Sequence, residues 1–144
     1  MPRLFGLNII TTLIAGFALW MLGYVWYGVI FKESWEALQN FTPEQYQYAE
    51  ANMGPLMGMG FLIALISSGF LGFVLRKMGV EGLVDAIKMA LVLCFGFVVL
   101  TQLYGPVYAL APMALFYIDA SYQVVGFAIM AVIHSLLGNW LVKD

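Results

Sequence analysis

Charge is what this chain has least of. Its 144 residues include six Lys or Arg and eight Asp or Glu, 10% in all, while 63% are hydrophobic. A soluble domain carries about 25% charged residues, so a water-facing surface cannot be clothed and a soluble enzyme is excluded. The net charge of −2 offers no basic field to a phosphate backbone, and no nucleic-acid partner is expected. The single cysteine, Cys94, allows no intrachain disulfide and reads as a small packing residue in an apolar run. There is also no CxxCH, HExxH, glycine-rich phosphate loop or serine-centred triad. No catalytic residue, metal or cofactor is therefore expected, and the chain is not read as an enzyme. Met53, Met57 and Met59 carry thioethers of the kind that suit Cu(I), and the lone His134 could ligate one haem. Lipid-facing methionine and a packing histidine are the simpler readings.

What the chain has is long uncharged windows: Leu4–Phe31, Ala51–Leu75, Met89–Ile118 and Ala120–Val142. Each is long enough for a spanning helix, which needs about 20 apolar residues. The first is too long for a secretory signal core and lacks an A-x-A site, so it reads as a retained span. Proline breaks helices, and Tyr104-Gly105-Pro106 and Pro112 divide the last apolar stretch. The sequence thus predicts an all-α membrane protein, residues 1–144 forming one four-helix transmembrane domain. Its spans fall near 5–31, 54–76, 82–104 and 117–141, with an apolar turn over 105–116. Between the first two spans, Thr42-Pro43-Glu44 resembles a helix start and predicts a short interfacial helix over 43–52. Arg3, Arg76, Lys77, Lys88 and Lys143 fall on one side and only Lys32 on the other, so both termini are expected in the cytoplasm.

Within a bilayer, helices associate through close backbone approach and side-chain hydrogen bonds. Small residues at helical spacing mark candidate packing seams: Gly54 and Gly58, then Ser68 and Gly72, on the second span. Ala86, Ala90 and Cys94 form one on the third, and Ala128, Ala131, Ser135 and Gly138 one on the fourth. Polar residues within spans are costly and few. Asp119, Gln123, Gly126, Met130 and His134 share one face of the fourth span. They read either as a polar pocket or path, or as a helix cap at Asp119 with His134 bonded to a neighbouring helix. Trp26, Tyr27, Gln102 and Tyr122 gather at the level of Asp119, either as an interfacial aromatic belt or as a ring around a bound cation.

Gly23-Tyr24-Val25-Trp26-Tyr27-Gly28, followed by Phe31 and Trp35, resembles the opening signature of a small bacterial membrane family, domain of unknown function 1761. Ile118-Asp119-Ala120-Ser121-Tyr122 with Val124 and Val125 is similar to that family's last block. The resemblance covers essentially the whole chain and implies a four-span fold in a bacterial inner membrane, with no established activity. The connection Val107–Phe116 is more apolar than the resemblance leads one to expect.

Two function classes follow. The first is a structural or accessory membrane protein, partnered by the lipid bilayer, that forms a homo-oligomer or joins a larger membrane complex. The second is a small transporter or channel that uses the polar stripe of the fourth span.

Overall fold

The computed structural model describes residues 3–4 and 7–141, with the side chains of residues 7–138. Two dipeptides, β1 (Arg3–Leu4) and β2 (Leu7–Asn8), pair antiparallel. Asn8 then starts α1 (Ile9–Val25): its Oδ1 accepts from the N–H groups of Ile10 at 3.0 Å and Thr11 at 3.2 Å. This satisfies two of the donors that a helix start leaves open. The sequence-based start at residue 5 is therefore early. Residues 5 and 6 lie outside the described ones, and Leu7–Asn8 are extended.

The first span continues through a π-helical turn, Trp26–Ile30, in which the Phe31 N–H reaches the Trp26 carbonyl at 2.9 Å. Two short helices follow where one is expected, α2 (Lys32–Gln39) and α3 (Pro43–Ala51). The chain reverses between them at Asn40, whose φ of +53° is a left-handed conformation that Asn tolerates. Thr42 and Gln45 form a reciprocal capping box on α3, with Pro43 in its first turn.

The second span is α4 (Met53–Lys77). Gly79, at φ +67°, closes it: the Val80 N–H bonds the Leu75 carbonyl at 3.2 Å, and the Gly79 N–H bonds Arg76 at 3.0 Å. The third span comprises α5 (Leu83–Leu93), a π-helical stretch Cys94–Val99, α6 (Leu100–Gln102) and α7 (Tyr104–Tyr108). The fourth is α8 (Met113–Leu141). All four are long and apolar enough to cross a membrane. The expected apolar turn over 105–116 shrinks to residues 109–112, because neither proline breaks a helix. Pro106 sits in the first turn of α7 and Pro112 immediately precedes α8, positions where the missing N–H costs nothing.

α1 lies between α4 and α8, and α8 lies between α1 and α5, while α4 meets α5 and α8 only narrowly. The core runs along these contacts through Ala15, Leu19, Ala64, Leu71, Ala90, Met130 and Ala131. Small residues bring the backbones together. A Cβ on Gly16 would fall 2.9 Å from Leu65 Cα, so only glycine lets α1 and α4 approach this closely. The seams expected at Ala86, Ala90 and Cys94, and at Ala131, are buried, whereas Ser135 and Gly138 are half-buried. Gly54 and Gly58 depart from expectation: nothing lies within 4 Å of where their Cβ atoms would sit. The intrachain seam of the second span begins near Gly60 and runs through Ala64, Ser68 and Gly72, while residues 53–59 are exposed.

Gly72 faces the ring of His134, and a Cβ there would fall 2.6 Å from Cε1. Gly72→Ala is therefore expected to destabilise the protein by about 1–3 kcal/mol through overpacking. Gly69→Ala, where the nearest atom is Thr12 Cγ2 at 3.8 Å, should be neutral or gain up to about 1 kcal/mol of helix propensity. Reversible unfolding in detergent micelles measures both, and equal effects at the two sites would contradict the packing described.

Candidate functional site

Two polar clusters lie at opposite ends of the four spans. The acidic end carries α2, α3 and Asp119; the basic end carries Arg76, Lys77 and Lys88.

At the acidic end the π-helical turn shapes the site. In a regular α-helix, consecutive side chains diverge by about 100°, yet Trp26 and Tyr27 both reach α8. Trp26 Nε1 donates to the Ile118 carbonyl at 3.1 Å, and the Tyr27 hydroxyl donates to Asp119 Oδ1 at 2.6 Å. The Tyr122 hydroxyl crosses the other way and donates to the Leu19 carbonyl at 3.1 Å. It passes Gly23, where a Cβ would stand 3.1 Å from that oxygen. Three residues of one short stretch, Gly23, Trp26 and Tyr27, thus shape or make the contacts between the first span and α8.

Aromatic rings extend this lock outward. Tyr122, Tyr27, Trp35, Phe41 and Tyr46 meet in sequence, edge to face, with centroids 5.3, 5.3, 5.4 and 5.7 Å apart. Such pairs contribute about 0.5–1.5 kcal/mol each beyond area burial, and here they fasten α2 and α3 to the end of the bundle. Asp119 does not cap α8, as one sequence reading had it: the helix starts at Met113, and the carboxylate lies in its second turn.

At the basic end, Ser68 is fully buried and its hydroxyl donates to the Thr12 carbonyl at 2.9 Å. His134 Nε2 lies 3.0 Å from the Ser68 carbonyl and 3.1 Å from its Oγ. A carbonyl only accepts, so this geometry assigns the proton to Nε2. α1, α4 and α8 are joined here by one histidine and one serine. A cavity of about 270 Å³ opens beside them, lined by Asn8, Thr11, Arg76, Glu81, His134 and Ser135 among others.

The stripe expected to link the two ends is interrupted. Leu19 occupies the space at Gly126, where a Cβ would fall 2.5 Å from its Cδ1, and Met130 is 0% exposed. Gln123 is half-buried one turn below Asp119. Gln102 lies on α6, and its buried Oε1 has no hydrogen-bond partner among the described residues. The structure brings together Trp26, Tyr27, Tyr122 and Asp119, and separately His134 with Ser68; it does not join the two groups. Met53, Met57 and Met59 are exposed on α4. Among the described residues no three His, Cys, Asp or Glu side chains converge as a metal site would require.

Sequence reasoning missed Leu19, Thr11 and Thr12. Leu19 and Thr12 contribute backbone carbonyls, which no side-chain pattern announces. Asn8 carried a usable signal, a capping residue directly before an apolar run.

A double-mutant cycle on Tyr27→Phe and Asp119→Ala is expected to show a coupling of about 1–2 kcal/mol, above the usual interhelical hydrogen bond in a membrane because the acceptor is a carboxylate. Additive effects in the same unfolding assay would show that the contact contributes nothing.

The geometry of the Trp26-Tyr27-Gly28 turn and of Asp119 gives physical content to the two segments that carry the sequence resemblance. Neither the curated proteins nor the solved structures yield a match to this chain. A family profile matches residues 10–135, and the chain belongs to that family, described as a protein of unknown function (DUF1761).

Proposed function

We propose that this chain is a non-catalytic structural or accessory protein of the bacterial cytoplasmic membrane, which self-associates or docks onto a larger membrane complex. One observation carries the reading: the first part of α4 is bare. Residues 53–59 are all exposed, and Gly54 and Gly58 have no atom within 4 Å of a would-be Cβ. In lipid, such a face gains most from the close approach of another helix. The side chains able to do chemistry support the same reading, since Tyr27, Asp119, Ser68 and His134 are engaged in interhelical hydrogen bonds. A transport path along Asp119, Gln123 and His134 would have to pass Leu19 and Met130, both buried. The excess of basic residues at the Arg76 end supports cytoplasmic termini; Lys143, which contributes to it, lies outside the described residues.

Blue-native electrophoresis of mildly solubilised membranes is expected to show an assembly larger than the 16.0 kDa monomer. Gly58→Leu should reduce that assembly while leaving the melting temperature of the isolated chain unchanged. A lone monomer overturns the proposal, and an assembly indifferent to Gly58→Leu removes α4 as its seam.

A further inference from the structure

The cavity at the basic end has the chemistry of a binding site. Thr11 stands in its wall, 1% exposed, and its buried Oγ1 has no hydrogen-bond partner among the described residues. His134 also lines the cavity. Its Nε2 is engaged by Ser68, and its Nδ1 makes no hydrogen bond among the described residues. With the proton on Nε2, Nδ1 is an acceptor. Ser135 adds a hydroxyl from the next position of α8.

Two opposite charges complete the lining. Arg76 and Glu81 both border the cavity and both are exposed, and neither forms an ion pair among the described residues. The Gly79 turn that closes α4 holds them on the two sides of one tight reversal. Left unpaired around a polar hollow, they match a ligand that carries both signs. A guanidinium and a hydroxyl suit a phosphate, and a carboxylate and an imidazole acceptor suit a primary ammonium.

We infer that this cavity binds a zwitterionic phosphate–amine headgroup, of the phosphoethanolamine type. Arg76 and the Ser135 hydroxyl hold the phosphate, and Glu81 with His134 Nδ1 holds the ammonium. The volume of about 270 Å³ accommodates such a group, and Arg76 marks the end of a span, where headgroups lie. The same chemistry is offered by a membrane phospholipid and by its water-soluble deacylated form. The site goes beyond the proposed scaffold role and does not require self-association.

Native mass spectrometry of the full chain, delipidated in a non-ionic detergent, tests this with phosphatidylethanolamine, phosphatidylglycerol and glycerophosphoethanolamine as probes. One phosphatidylethanolamine per chain is expected, bound about tenfold more tightly than phosphatidylglycerol. Arg76→Gln should weaken both lipids. Glu81→Gln should weaken phosphatidylethanolamine alone, by about tenfold, and abolish the preference. Ser135→Ala guards against misfolding as an explanation: it should leave the melting temperature of the lipid-free protein unchanged and still weaken binding. Displacement of the lipid by glycerophosphoethanolamine supports the site with the headgroup sufficient, and failure to displace supports it with the lipid as the source. Equal binding of the two lipids, or affinities unchanged in both charge variants, overturns the inference.

Discussion

A polar group inside a bilayer has no water to fall back on, and the internal architecture of this chain answers that constraint. Few polar side chains enter the spans, and Trp26, Tyr27, Ser68, Asp119, Tyr122 and His134 are the ones that bond another helix among the described residues. The tie from Tyr27 to Asp119, at 2.6 Å, is the shortest of them. A carboxyl group left facing lipid is costly; here it receives the Tyr27 hydroxyl, and the helix that carries it is fixed against the first span. The two carbonyls that accept from Trp26 and Tyr122 add contacts in both directions across the same pair of helices.

The basic end repeats the principle with different residues. Ser68 and His134 bond each other, the Ser68 hydroxyl donates to the Thr12 carbonyl, and Gly72 supplies the space for the ring. Between the two ends the contact of α1 with α8 is apolar, with Leu19 set into the gap at Gly126. This arrangement explains why a short chain with low charge holds α1, α4 and α8 together without a large buried core. It also separates the groups whose alignment on one helix face suggests a path. A stripe on a helix shows which residues share a side; whether water runs along it depends on what the facing helix inserts.

The architecture was legible because hydrophobic length is a strong signal: four windows became four spans, and the boundaries of α4 moved by one residue at each end. The errors have local causes. Prolines 106 and 112 read as helix breakers but stand where helices begin, so the turn between the last two spans is far shorter than expected. α2 was missed because Lys32–Gln39 carries no cap at its start, and its end is set by a left-handed Asn40. At the site, residue types named most of the participants, and His134 and Asp119 stood out by rarity alone. Their partners did not, because Thr12 and Leu19 act through backbone carbonyls and the π-helical turn that aims Trp26 and Tyr27 has no sequence pattern of its own.

The central claim is that the polar side chains within the spans act as fixed ties between helices. His134 reports on it most directly, since a tie and a relay differ in where its proton resides. Solid-state nitrogen-15 spectra of histidine-labelled protein in lipid bilayers distinguish the two ring nitrogens. The account expects one neutral tautomer with the proton on Nε2, coupled through space to Ser68 and slow to exchange with deuterated water. A proton on Nδ1, or a signal averaged between the two nitrogens, would contradict it.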